Sequence, residues 1–162
     1  MLFSCDLHSL PAVDFKQMDS ALKSYSREVA YKDVSIMAPC YLAEMDLAGA
    51  ATADNIIFGE TTWVSGHKNV APANVEVSAY EVMDELINYY LDTTKFPALE
   101  AVMFAGHSAG GQMTQRYAAL KKTSAGEDRL HYWVSANLSL FVFPSSLIVS
   151  NRRSPTQVLS CG

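Results

Sequence analysis

Short apolar runs alternate along most of the chain with longer segments in which apolar residues recur at helical spacing. Runs typical of buried strands occupy residues 34–38, 101–105 and 130–135. Helices are predicted over residues 15–30, 78–92 and 109–120, where apolar positions fall three or four residues apart. This alternation predicts an α/β protein whose parallel sheet, of three to five strands, is flanked by helices.

Two of the predicted helices begin with a capping pattern. Asp14 precedes Gln17 by three residues, and Ser78 precedes Glu81 by the same spacing. The acidic residues of the second helix fall largely off its apolar stripe and are interpreted as its solvated face: Glu81, Asp84 and Glu85. That helix connects strand 34–38 to strand 101–105, as in a right-handed strand–helix–strand unit.

The most informative stretch joins the second predicted strand to the third predicted helix. It carries Gly106-His-Ser108-Ala-Gly110, a G-x-S-x-G pattern between an apolar run and a helical one. In such a turn the serine needs strained backbone angles, and the flanking glycines omit side chains that would collide. The pattern predicts a nucleophile elbow with Ser108 as the nucleophile and the Ala109 N–H in an oxyanion hole.

The segment AVMFAGHSAGGQMTQRYAAL resembles the nucleophile elbow and following helix of the α/β-hydrolase superfamily. The upstream run DVSIMAP, a loop with Trp63 and Gly66, and SAYEVMDELINYY are similar to the middle of fungal and other microbial α/β-hydrolase-like proteins. The resemblance covers about residues 15–136. It implies a serine hydrolase acting on a small-molecule substrate with an ester, amide or related acyl bond, and it specifies no substrate.

Composition and length bound the remaining interpretations. With 162 residues, the chain is expected to form one incomplete hydrolase-like domain over residues 1–136, followed by a divergent, poorly ordered segment at 137–162. A net charge of −5 gives no electrostatic case for nucleic acid. Three cysteines without metal-ligand spacing predict neither a zinc site nor a disulfide framework, and no cofactor is expected. No apolar run is long enough for a membrane span, and no targeting signal is evident.

The long excursion over residues 41–73 follows the carboxyl end of a predicted strand. Ligands bind at that edge of α/β sheets, so Tyr41, Glu44, Trp63 and His67 are candidate pocket walls. Taken singly, a tryptophan such as Trp63 is more often a packed anchor than a substrate platform, and a lone histidine such as His67 is more often a surface or satisfied loop residue than a catalytic base. The superfamily's base follows the serine in the chain, which argues against a catalytic His67.

The other members of a catalytic triad are not evident. His131, Glu127 and Asp128 follow Ser108, but they begin a strand parallel to the elbow strand. Five strand residues span roughly 17 Å, so these groups are expected at the opposite edge of the sheet. His107 is adjacent to Ser108 and points away from it, and the His-Gly pair often found in the second oxyanion loop is missing, with His8-Ser-Leu the nearest approach.

Three hypotheses therefore stay open. The first is that the chain is an active serine hydrolase. The second is that it is a non-catalytic fragment or interaction protein, which keeps an inherited elbow and self-associates through exposed sheet edges. The third is that it is a nucleotide-binding α/β domain. Against the last, no G-x-G-x-x-G or P-loop lysine is present.

Overall fold

The computed structural model of the chain describes residues 2–3, 11–25, 30–44, 46, 52 and 54–135. The helices in these ranges are α1 (Pro11–Tyr25), α2 (Ala79–Leu91) and α3 (Ala109–Leu120). The strands are β1 (Leu2–Phe3), β2 (Ile36–Met37), β3 (Leu42–Ala43), β4 (Ile57–Phe58), β5 (Val102–His107) and β6 (Leu130–Ser135). Short 3-10 helices lie at Tyr31–Asp33, Thr62–Ser65 and Glu127–Arg129. The described residues thus form a mixed α/β fold with short parallel strands.

Four strands form the main sheet in the order β2-β1-β5-β6, and every neighbouring pair is parallel. β5 and β6 are paired along their whole length, from Val102 with Leu130 to His107 with Ser135. β3 and β4 form a separate two-stranded parallel sheet. The predicted parallel sheet is confirmed for the described part of the chain.

The order of the strands changes direction between β1 and β5. From β1 the chain moves outward to β2 on one side, whereas from β5 it moves outward to β6 on the other. Connections that diverge in this way leave a crevice beyond the carboxyl ends of the two central strands, where open α/β sheets bind ligands. Ser108 follows the carboxyl end of β5 directly, so it lies at this crevice.

The amino-terminal part differs from the sequence prediction in two respects. The pattern predicts no strand before residue 15, yet Leu2–Phe3 pairs with β2 on one side and β5 on the other. Two residues are too few for hydrophobic periodicity to detect. α1 begins at Pro11, a residue suited to the first helical turn, so Asp14 lies inside the helix and the predicted cap at Asp14 is wrong. The predicted segment 137–162 lies outside the described residues.

The core lies between the helices α2 and α3 and one face of β5 and β6. α2 contributes one stripe at helical spacing, and α3 contributes Met113 and Tyr117, while Leu120, an apolar residue at the same spacing, is 68% exposed at the end of α3. The buried core side chains of these four elements are Ala79, Met83, Ile87, Leu91, Val102, Phe104, Ala109, Met113, Tyr117 and Leu130. This packing fixes the helix that follows Ser108 against the strand that precedes it.

Asp84 does not lie on the solvated face of α2, where the sequence pattern places it. It is half-buried rather than solvated, and it accepts a hydrogen bond of 2.5 Å from the hydroxyl of the buried Tyr117. Burial, and then this bond to the carboxylate, raise the pKa of Tyr117 far above its ordinary value. Asp84 therefore links α2 to α3 through the core, and sequence periodicity did not reveal that contact.

The capping pattern predicted at Ser78 is confirmed, because both of its reciprocal hydrogen bonds are present. The Ser78 hydroxyl accepts from the Glu81 N–H at 3.1 Å, and the Glu81 carboxylate accepts from the Ser78 N–H at 2.7 Å. These bonds hold the pKa of Glu81 below its usual value. The pair satisfies two backbone donors that the first turn of α2 leaves unpaired.

We predict that Ser78→Ala lowers the free energy of unfolding by about 1 kcal/mol, because the Glu81 N–H loses its acceptor. Urea denaturation followed by circular dichroism measures the change. Ser78→Thr keeps the hydroxyl and is expected to retain most of the stability. An alanine variant as stable as the wild type would show that the cap contributes nothing to folding.

Candidate active site

Ser108 has a backbone conformation that few residues other than glycine adopt. Its φ is 53° and its ψ is −119°, outside the regions allowed to ordinary L-residues. Such a conformation costs about 1–3 kcal/mol and persists only where its surroundings impose it. Ser108 is also exposed, so the turn presents its hydroxyl at the surface of the crevice.

Gly106 explains why the turn can form. A Cβ on Gly106 would lie within 3.0 Å of the Gly110 carbonyl and 2.5 Å from Thr114 Oγ1. The end of β5 therefore touches the first turn of α3, and no side chain fits between them. The buried Thr114 hydroxyl donates to the Gly110 carbonyl at 2.9 Å and completes the contact. The motif predicted the need for Gly106, whereas no pattern in the sequence pointed to Thr114.

Backbone hydrogen bonds hold Ser108 on both sides. Its N–H donates to the Ser135 carbonyl at 3.2 Å, and its carbonyl accepts from the Gln112 N–H at 3.1 Å. A Cβ on Gly111 would approach the same Ser135 carbonyl to 2.8 Å, so the helix begins tightly against the end of β6. The strained angles are thus imposed by the strand on one side and the helix on the other.

The start of α3 supplies donors beside the Ser108 hydroxyl. The first N–H groups of a helix lack partners within the helix, and the Ser108 side chain makes no capping bond to them. The Ala109 N–H is the first of these donors, because α3 begins at Ala109. Together with the positive end of the helix dipole, it favours negative charge next to Ser108.

The strand register shows how far Asp128 and His131, which follow Ser108 in the chain, lie from its hydroxyl. His131 pairs with Met103, five residues before Ser108, a separation of roughly 17 Å along the strands. Asp128 lies in the 3-10 helix that precedes β6 and is at the same remote edge. The register therefore confirms that neither group reaches the Ser108 hydroxyl.

The predicted pocket residues occupy different environments. Trp63 is buried in the core and stacks on Tyr41 with ring centroids 5.3 Å apart, whereas Tyr41 is half-buried and lines a cavity. Glu44 is exposed. His67 is also exposed, and its backbone carbonyl accepts from the Ala79 N–H at the start of α2. The structure records no hydrogen bond between the described side chains and Ser108 Oγ.

Among the described residues, neither a metal site nor a reactive cysteine finds support. No group of three or more His, Cys, Asp and Glu residues there is arranged to hold a metal ion. Cys40 is a free thiol whose pKa is raised by partial burial and by Asp46, so its reactive thiolate is disfavoured. Within the same residues, no helix has the length and apolar character to cross a bilayer.

Comparisons with family models, curated proteins and solved structures returned no match to this chain. The functional argument therefore depends on the geometry around Ser108.

We predict that Gly106→Ala lowers the free energy of unfolding by about 3 kcal/mol or more, because its methyl group meets backbone atoms that cannot move aside. Thermal and urea denaturation measure the effect. Gly59→Ala is the matched control, since the nearest atoms to a Cβ there belong to side chains, those of Thr62 at 3.3 Å and Val70 at 3.7 Å. Equal stability of the two variants would contradict the close contact between β5 and α3.

Proposed function

We propose that the protein is a serine hydrolase of the α/β-hydrolase type, which cleaves an ester, amide or related acyl bond with Ser108 as its nucleophile. The conformation of Ser108 carries the proposal. A serine at φ 53° and ψ −119°, exposed between a parallel strand and a helix, has the geometry of a nucleophile elbow. Strain of this kind clusters at functional sites.

The chemistry follows from the position of the hydroxyl. Ser108 Oγ bonds to the carbonyl carbon while its proton passes to a base, and the carbonyl electrons move onto the oxygen. The Ala109 N–H stabilises that negative oxygen. When the tetrahedral intermediate collapses, the alcohol or amine leaves with a proton, and water then hydrolyses the acyl-enzyme.

Two parts of this machinery, the second oxyanion donor and the base, come from outside the turn at Ser108. The second oxyanion donor in such sites comes from the loop after a neighbouring strand. Here that strand is β1, and residues 4–10 after it lie outside the described residues. Since His131 is remote and His107 points away, the proposal requires the base to be His8, His67 or a group from another chain.

A second candidate function is a non-catalytic interaction protein. The sheet face opposite α3 supports it, because Met103 and Trp133 are 38% and 49% exposed there. β6 is also an edge strand of the described sheet. Exposed edges and apolar faces favour association with another chain. Light scattering on the purified protein separates this hypothesis from a monomeric enzyme.

We predict that a fluorophosphonate probe labels the wild-type chain and that Ser108→Ala abolishes the label. The probe reacts only with a serine whose proton a base removes. Loss of the base from a serine triad costs about a millionfold in turnover, so labelling reports whether the base is present. Mass spectrometry of a tryptic digest locates the modified residue.

Ser24→Ala is the control, because Ser24 is an exposed serine on α1 and should leave labelling unchanged. Circular dichroism must first show that all three proteins are folded. Labelling that survives Ser108→Ala, or none in a folded wild type, would contradict the proposed enzyme and leave the interaction protein as the better account.

A further inference from the structure

A cavity of about 350 Å³ opens beside the chain that leaves β2. Its volume is within the range of sites for small molecules. Most of its wall is apolar and comes from the segment after β2, from β3 and β4 and from α2: Pro39, Tyr41, Leu42, Ile56, Phe58 and Val82. The surface therefore suits a hydrocarbon group better than a charged one.

The sheet register relates this cavity to Ser108. Met37 of β2 and Phe104 of β5 both pair with Phe3, so the two strands are level. Tyr41 comes after the carboxyl end of β2 and Ser108 after the carboxyl end of β5, so both follow strands that end at the same edge of the parallel sheet. With β1 between them, β2 and β5 lie about 10 Å apart. An extended chain of several carbon atoms spans that separation.

The aromatic wall of the cavity is held in place before any ligand binds. The Tyr41 hydroxyl donates to the Ala79 carbonyl at 3.1 Å, which ties it to the start of α2. Its ring packs on Trp63 and on Phe58, with centroids 5.3 and 5.7 Å apart. A preformed wall binds an apolar group without the cost of ordering its side chains.

The polar groups of the lining do not call for a charged ligand. Asn55 Oδ1 already accepts from the Thr52 N–H at 2.7 Å, and Asp54 is exposed. The same partial burial and neighbouring Asp46 that raise the pKa of Cys40 keep that thiol uncharged. Among the described residues that form the wall, none is a lysine or an arginine.

We propose that this cavity holds an apolar chain of the ester cleaved at Ser108, which makes the substrate class esters with a medium-length hydrocarbon group. The inference rests on the proposed function. It assigns Tyr41, Phe58 and Val82 to substrate specificity rather than to the chemical step. The hydrocarbon belongs to the acyl or the alcohol side of the ester, and the two arms of the experiment distinguish them.

The test changes the size of the cavity at Val82. Val82→Phe fills it and Val82→Ala enlarges it, while Val75→Phe adds the same ring at an exposed position away from it. One arm measures kcat/KM for p-nitrophenyl acetate, butyrate and octanoate. The other uses ethyl, butyl and octyl acetates. Thermal melting checks that each variant is folded.

We predict that Val82→Phe lowers kcat/KM for the longest chain at least about tenfold relative to the shortest, since one methylene in an apolar pocket is worth that much. Val82→Ala should shift the preference toward longer chains, and Val75→Phe should leave it unchanged. The arm that responds identifies the side of the ester that the cavity holds.

Two other results overturn the inference in distinguishable ways. Ser108-dependent turnover whose chain-length preference is the same in all variants would remove the cavity from the substrate site and leave the hydrolase intact. Absence of Ser108-dependent turnover with every ester would remove the proposed function and this inference together.

Discussion

The approach of Gly106 to the carbonyl of Gly110 is the constraint on which the candidate site depends. Because no side chain separates them, β5 runs directly into α3, and the chain must turn within one residue. Ser108 takes up that turn with a positive φ, and its bonds to Ser135 and Gln112 prevent relaxation. The strain is therefore sustained by core packing on one side and by the sheet on the other.

The rest of the fold gives this turn its surroundings. β1 separates β2 from β5, so the chain leaving β2 borders the same edge of the sheet as Ser108. The helix α2, anchored by the Ser78 cap, places Val82 beside Tyr41 at the cavity and Asp84 beside Tyr117 in the core. A single helix thereby connects the residues that line the cavity to the helix that follows Ser108.

Sequence reasoning succeeded where the signals are local. The turn from β5 to α3, the Ser78 cap and strand 130–135 each depend on residues close in the chain, where spacing and glycine chemistry are decisive. It failed where the determinant is long-range. The two-residue β1 is a strand through its partners at Ile36 and Met103, and the half-buried Asp84 accepts a hydrogen bond from Tyr117 of another helix. The role of Thr114 likewise requires knowing which backbone lies beside it.

The central claim is that folding holds Ser108 in an unfavourable backbone conformation, and the free energies of unfolding of Ser108→Gly and Ser108→Ala test it most directly. Both remove the hydroxyl, but only glycine adopts these angles without strain. The backbone strain that Ser108→Gly relieves, about 1–3 kcal/mol, exceeds the usual entropic penalty of introducing a glycine. The account predicts that Ser108→Gly is the more stable variant by about 1 kcal/mol. A glycine variant that is equally or less stable than the alanine variant would contradict it.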